Sequence, residues 1–285
     1  ISMAETREAV VEEPPPHFAE PEPPDAEDSE FLPAPRVCSG RAVPDDGKFG
    51  GRVALTFDDG PYPEVTPRIL ATLRQHQVPA AFLLNGERLV TAKEQAIAQE
   101  IGADPDFLVG NHGFSHRSFS TLERPEARAE IVDTSTALQD LGIEPRYFRF
   151  PFGRATCEAR ALVEAEGLRV TGWHVASADW CFSERNGWCR PWRYRYVPSH
   201  LRRDMSAFVL RQVRRRRGGI VLLHDRPFTA DHLEELIVRL RDDGFSFTRI
   251  DDRETFPKLN GTFDRAAPVR SEAATDETGA DHVEA

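Results

Sequence analysis

The chain has no run of about 18 apolar residues, so we expect no part of it to span a membrane. Its four cysteines, Cys38, Cys157, Cys181 and Cys189, are too few for a disulfide scaffold, and their spacing gives no paired zinc motif. Cys181 and Cys189 are near enough in sequence to close a small disulfide loop, while free buried thiols fit the same count. No signal peptide is visible. The cysteine pattern therefore leaves disulfide bonding open.

Excess charge is confined to the two ends of the chain. The formal net charge is -11 over 285 residues, with 12 acidic and 3 basic side chains in residues 1–47 and 6 and 3 in residues 256–285. The part between them carries +1, so overall charge argues neither for nor against a nucleic-acid partner, and we predict none. Residues 1–47 also hold 9 of the 22 prolines. We predict a disordered tether over 1–47, one folded domain over 48–256 and an acidic polar tail over 257–285.

Between the tails, short apolar runs alternate with helical patterns. Helical spacing at i, i+3, i+4 and i+7 fills the gaps between the apolar runs, and glycines fall where helices should end. The alternation predicts a parallel α/β fold with about seven strands, either a barrel or an open sheet. The predicted strands are 53–57, 80–84, 106–110, 146–150, 169–175, 219–224 and 245–250.

Polar residues follow most of these strands. Asp58 and Asp59 follow the first strand, where a Gly-Pro turn begins. Because the carboxyl ends of parallel strands share the face on which α/β folds build active sites, we expect these side chains to meet. The others that lie at or just past the ends of strands are His112, His116, Arg149, Asp179 and His224.

These residue types suit metal-assisted hydrolysis. His112 and His116 are spaced i, i+4, which on a helical turn brings both rings to one ion. With one carboxylate they form a two-His, one-carboxylate set that leaves a position for water, as catalytic zinc requires. We predict one divalent ion, with zinc foremost and cobalt, iron or manganese as alternatives. Since adjacent carboxylates repel, one of Asp58 and Asp59 would bind the metal and the other would transfer protons.

Three further residues complete such a reaction. His224 is the best candidate for the acid that protonates the leaving group, and Asp179 could keep its imidazole charged. Arg149 could hold the base ionised, and a purely structural salt bridge fits this residue as well.

Five motifs occur in order along residues 50–255: Thr56–Pro61, His112–His116, Arg149–Phe152, Asp179–Trp180 and Leu222–His224. Together they resemble the motifs of the polysaccharide deacetylases, the NodB-homology domain of carbohydrate esterase family 4. The resemblance implies a distorted (β/α) barrel, often of seven strands. It implies that Asp58 is the general base, positioned by Arg149, and that His224 is the general acid, tuned by Asp179. It implies that Asp59, His112 and His116 are the metal ligands and that the Phe152 N–H lies in an oxyanion hole. The residues implied to line the substrate site are Pro151, Phe152, Trp180 and Leu222.

Two positions depart from the family pattern. Phe152 stands where members often have Tyr, and Ala176 stands where the fourth motif often begins with Asp. The segment from Cys181 to His200 is also distinctive, because it is rich in aromatic residues and arginine. Trp188 and Trp192 within it could contact glycan at the rim of the site, or the segment could simply pack on the barrel.

The leading prediction is therefore metal-dependent removal of acetyl groups from N-acetylhexosamine residues of a polysaccharide, with peptidoglycan or another envelope glycan first. Alternatives are an O-acetyl esterase acting on xylan or a capsule and a catalytically silent glycan-binding module. A non-haem iron oxygenase shares the ligand set, but the motif order speaks against it. We expect an exported monomer in the periplasm, cell envelope or medium, with any signal or anchor lying outside this chain.

Overall fold

A curled sheet of parallel strands forms the centre of the protein. The computed structural model describes residues 49–261, so the tether predicted over 1–47 and most of the predicted tail lie outside the described residues. The strands alternate with helices, which confirms the predicted α/β pattern. The elements are β1 (Arg52–Asp58), α1 (Thr66–Gln75), β2 (Ala80–Leu84), α2 (Ala92–Ala103), β3 (Phe107–Asn111), α3 (Arg124–Asp140), β4 (Tyr147–Phe148), α4 (Cys157–Ala165), β5 (Arg169–Val170), β6 (Val175–Ala176), α5 (Met205–Arg216), β7 (Gly219–His224), α6 (Pro227–Asp242), β8 (Ser246–Phe247) and α7 (Pro257–Asn260).

Seven of these strands follow one another across the sheet in the order β5-β4-β3-β2-β1-β7-β6, and every pair is parallel. The eighth, β8, pairs with the first two residues of β1. The arrangement is a curled half-barrel, which confirms the predicted distorted barrel. Helix α7 lies within the range predicted as a tail.

The sequence prediction of one strand over 169–175 is wrong, because this stretch forms two strands at opposite edges of the sheet. Thr171 N–H still donates to Phe148 on the β4 side, and His174 N–H already donates to Ile220 on the β7 side. The chain therefore crosses between the edges within residues 171–174, which requires the sheet to curl until its edges are close.

Apolar side chains fill both sides of the sheet. All five residues of β2 are buried, as expected for a parallel strand covered on both faces. On α1 the apolar stripe of Ile69, Leu70 and Leu73 is fully buried. Among residues 49–261, no helix is both long and apolar enough to cross a membrane.

A disulfide bond joins Cys181 and Cys189. Of the two alternatives that the sequence left open for this pair, a disulfide loop or free buried thiols, the structure has the disulfide loop. Both residues are fully buried, and Phe182 and Cys189 form an isolated antiparallel bridge beside the bond. Cys38 lies outside the described residues.

Candidate active site

Polar residues lie at the carboxyl ends of neighbouring strands of the sheet. Asp58 is the last residue of β1, and its direct partner in the parallel register is His224, the last residue of β7. On the other side, Asp58 is paired with Leu83 of β2, and His112 follows the end of β3. The predicted base and the predicted acid therefore stand on neighbouring strands.

Asp59, His112 and His116 form one cluster beside this pair. Ligand atoms from the three residues all lie within 4.8 Å of one another. Asp59 Oδ1 is buried, has no hydrogen-bond partner, and lies 3.4 Å from His112 Nε2 and 3.2 Å from His116 Nε2. A bare carboxylate oxygen between two ring nitrogens fits a divalent cation, since these are donors that zinc uses in proteins.

The two imidazoles meet through a loop, and the helical turn assumed from their spacing is absent. β3 ends at Asn111, and the backbone takes positive φ values at Gly113 (78°) and His116 (54°). A positive φ at a residue other than glycine is uncommon and is often found at functional sites. Burial, together with the nearby His112, lowers the pKa of His116 to about 4. Its ring is therefore neutral at pH 7, the form that binds metal.

Glu130 of α3 holds this loop, and sequence reasoning missed it. Its carboxylate accepts hydrogen bonds from the backbone N–H groups of Phe114 (2.7 Å) and Ser115 (2.8 Å) and from the Ser115 hydroxyl. The His112 Nδ1 lies 2.8 Å from the carbonyl oxygen of Arg149, which fixes the ring so that Nε2 faces Asp59. The one available signal was an acidic residue at helical spacing from Ala127 and Leu138, which are apolar residues on the face that α3 buries.

Asp58 is bound from inside the barrel by Arg149. Arg149 Nη1 lies 2.7 Å from Asp58 Oδ1 and donates to Thr56 Oγ1 at 2.8 Å, and all three side chains are buried. The other Asp58 oxygen, Oδ2, lies 3.7 Å from His112 Nε2. The guanidinium compensates the Asp58 charge on one side and leaves Oδ2 facing the cluster.

His224 is held by Asp179. His224 Nδ1 lies 2.7 Å from Asp179 Oδ1, and Asp179 Oδ2 accepts from the His224 backbone N–H and from the Thr229 hydroxyl. Burial alone would lower the pKa of His224, but the charge and hydrogen bond of Asp179 raise it to about 9. Burial opposes ionisation of Asp179 as well, yet its pKa is lowered by His224. The pair is therefore an imidazolium and a carboxylate at neutral pH.

Asp225, which directly follows His224, is buried next to Gly60 in the turn after Asp59. Its Oδ2 lies 2.5 Å from the Thr66 hydroxyl, and its backbone N–H donates to the Asp58 carbonyl. A Cβ at Gly60 would fall 2.3 Å from Asp225 Oδ2, so any larger residue at position 60 would displace the Asp225 side chain. Burial raises the pKa of Asp225 to about 7.

The residues predicted to line the substrate site, Pro151, Phe152, Trp180 and Leu222, are all apolar. Phe152 has a positive φ of 58°, is 44% exposed, and packs edge-on to His116 at 4.6 Å between ring centroids. Pro151 and Leu222 are buried, while Trp180 is half-buried against Tyr194. Of the predicted rim contacts, Trp188 is half-buried and Trp192 is 70% exposed.

Fold and site together define a parallel α/β protein with a candidate metal centre at its strand ends. The model of the polysaccharide deacetylase family matches residues 47–171. A chitooligosaccharide deacetylase of a Bradyrhizobium species is 34% identical over 175 residues, which are 61% of this chain and 70% of the relative. The chain belongs to the polysaccharide deacetylase family, as its motifs predicted.

Two further comparisons bear on activity. A peptidoglycan N-acetylglucosamine deacetylase of Bacillus cereus is 36% identical over 129 residues, which are 45% of this chain but only 46% of the relative. A crystal structure of a carbohydrate esterase family 4 pseudoenzyme from Bacillus anthracis superposes with a TM-score of 0.57 at 25% identity, covering 71% of this chain and 64% of the other. Similar relatives thus include proteins named as deacetylases and one named as a pseudoenzyme.

Proposed function

We propose that this protein is a metal-dependent deacetylase of N-acetylhexosamine residues in a polysaccharide, with peptidoglycan or another cell-envelope glycan as substrate. One observation carries the proposal: Asp58 and His224 are register partners on neighbouring strands, and each is bound to a buried counter-ion beside the Asp59 cluster. A base and an acid held on either side of one position are what amide hydrolysis requires. Relatives named as deacetylases support the reaction class.

Asp59, His112 and His116 would hold the metal, and zinc suits their donor set best. When bound, the ion supplies Lewis-acid polarisation of the acetyl carbonyl and makes a water molecule acidic. The backbone N–H of Phe152 would donate to the oxyanion that develops on that carbonyl oxygen. Trp180 and Leu222 would line the space beside the acetyl methyl group.

Asp58 would accept the proton of the attacking water on Oδ2, the oxygen not bound to Arg149. Arg149 is a positioning residue here, because it fixes the carboxylate and compensates its charge. His224 would then donate its Nε2 proton to the amine nitrogen as the C–N bond breaks, since Nδ1 is bound to Asp179. The products are acetate and the free amino sugar.

We propose that the protein works outside the cytoplasm, because cell-envelope glycans lie there, and that it acts as a monomer. The relatives named for peptidoglycan support this location.

The deciding experiment measures acetate release by zinc-loaded protein from chitin oligomers, peptidoglycan and acetylated xylan. Asp58→Asn and a chelator-treated sample serve as controls. Release from chitin oligomers or peptidoglycan that both controls abolish is the expected result. Release from xylan alone would replace the proposal with an O-acetyl esterase. Binding of glycan without acetate release from any substrate would replace it with a silent binding module, for which the pseudoenzyme neighbour is a precedent.

A further inference from the structure

A segment rich in arginine and aromatic residues follows the Asp179–Trp180 motif. We define the arginine–aromatic loop as residues 181–203, which follow the Asp179–Trp180 motif. It contains six arginines and one acidic residue, Glu184, giving a formal charge of +5 in a chain whose net charge is -11. A positive charge next to the active site attracts anions.

Arg190 and Arg203 of this loop lie over aromatic rings, and within residues 49–261 neither forms a salt bridge with a carboxylate. The Arg190 guanidinium lies 5.0 Å from the centroid of Trp188 and 4.9 Å from that of Trp192, and Arg203 lies 5.3 Å from Trp188. A guanidinium held by its flat face keeps its in-plane N–H groups available to a carboxylate or phosphate.

Several arginines outside the loop do pair with carboxylates. Arg214 and Arg239, for example, bind Asp243 and Asp204. Within residues 49–261, by contrast, no carboxylate forms a salt bridge with any of the loop arginines Arg185, Arg190, Arg193, Arg202 and Arg203.

The loop is fixed to the protein body. Its Cys181–Cys189 bond is fully buried, Val197 is fully buried, and Cys189 N–H donates to the Arg202 carbonyl at 2.8 Å. Phe182 stacks on Phe228 of α6 with centroids 5.5 Å apart. A surface held in this way loses little conformational entropy when it binds a ligand.

A row of rings connects the loop to the site. Trp180 contacts Tyr194 at 5.1 Å, and Tyr194 contacts Tyr196 at 5.3 Å, both edge-on. Tyr196 is 63% exposed and has the Arg195 guanidinium 5.3 Å from its ring. Since Asp179, next to Trp180, binds His224, the row runs from the acid of the site to solvent.

We propose that the arginine–aromatic loop binds anionic groups, carboxylate or phosphate, carried by the sugars that flank the acetylated residue in the site. Exposed ring faces such as that of Trp192 suit the C–H faces of sugars, and stacked guanidinium groups suit the anions. The substrate class is therefore an acidic, N-acetylated glycan. This inference rests on the proposed function for its catalytic consequence, although anion binding by the loop can be measured alone.

The test uses Arg190→Gln/Arg193→Gln and, as a charge-matched control, Arg128→Gln/Arg160→Gln, whose arginines form exposed ion pairs on α3 and α4. Substrates are N-acetylated oligosaccharides of equal length that are neutral, carboxylate-bearing or phosphate-bearing. The loop variant should lose at least tenfold in kcat/KM on an anionic substrate, through KM, and less than twofold on the neutral one. The control variant should match wild type. Whichever anionic series shows the loss identifies the anion.

Equal effects on neutral and anionic substrates, or none on either, would overturn the proposal. Calorimetric binding of the same oligosaccharides separates this inference from the function: loop-dependent anion binding without acetate release would retain the surface and reject the deacetylase. Tighter loop-dependent binding to anionic lipid vesicles than to any oligosaccharide would assign the loop to a membrane and overturn the glycan proposal.

Discussion

Arg149 and Asp58 form an ion pair inside the barrel, with Nη1 2.7 Å from Oδ1 and both side chains buried. The same guanidinium donates to the carbonyl of Gly172, in the crossover between the two edges of the sheet, at 2.8 Å. One side chain therefore joins the candidate base to the segment that brings the sheet edges together.

Arg149→Lys tests this double role. Lysine keeps the positive charge but cannot bind Asp58 and Gly172 with a rigid planar fork. We expect kcat to fall about a hundredfold because the carboxylate is misplaced. Chemical denaturation should also show lower stability, since a buried carbonyl loses its donor. Wild-type kcat with unchanged stability would refute both roles.

Asp179→Asn tests the origin of the His224 charge. The acid must be protonated to act, so activity should fall as pH rises through the pKa of His224, about 9 in the metal-free protein. A bound cation lowers that pKa by charge repulsion. Replacing Asp179 should move the alkaline limb of the kcat profile to lower pH by at least about one unit. Thr229→Val, which removes only a donor to Asp179, should move it less.

The same pair makes stability depend on pH. Because the folded pKa of His224 is raised above the usual histidine value, its stabilising contribution is complete below about pH 6.5 and is lost as pH rises toward 9. Urea unfolding across this range should show that decline in wild type and a weaker one in Asp179→Asn. Parallel curves for the two proteins would contradict the assignment.

His116→Ala should abolish tight zinc binding and the rise in melting temperature that zinc gives wild type, because one of three clustered ligands is removed. Metal content and thermal unfolding before and after chelation measure both effects. His76→Ala is the matched control, since His76 contacts Glu234 on the surface, away from the cluster. Equal metal content in all three proteins would exclude the site.

Glu130→Gln should weaken zinc affinity by roughly 10- to 100-fold, because the loop carrying His112 and His116 loses its carboxylate acceptor. Competition with a chromophoric chelator measures the affinity. Asp133→Asn changes an exposed acid on the same helix and should leave the affinity unchanged. An unaltered Glu130→Gln affinity would show that the loop is held without this side chain.

The Asp225→Asn variant should have a higher free energy of unfolding than wild type, by an amount that grows as pH rises. The folded pKa of Asp225 is raised to about 7, so wild type loses stability between about pH 4 and pH 7 as a buried charge develops. The amide keeps the shape and carries no charge, and the difference should reach roughly 1 to 4 kcal/mol at pH 8. His224 titrates in both proteins and cancels from the difference. A difference independent of pH would disprove this account.

Motif residues were predictable because they follow strands, and parallel strands present their carboxyl ends on one face. That geometry brings Asp58 and His224 into register although 166 positions separate them. The alternation of apolar runs and helical patterns was enough to predict where these residues lie.

Features that depend on the path of the backbone were not predictable. Residues 169–175 look like one strand, and nothing local reveals that the chain leaves one sheet edge at Thr171 and joins the other at His174. His112 and His116 converge through positive φ values, which a spacing argument for a helical turn does not contain. Glu130 contacts the loop from another element, so its role depends on tertiary packing.

The crossover at residues 171–174 has a further consequence for the protein in concentrated solution. It connects β5 and β6, the two end strands of the sheet, and each of them has only two residues. A foreign strand would find few free backbone groups to pair with at either end. The shortness of its end strands thereby protects the curled sheet against edge-to-edge self-association.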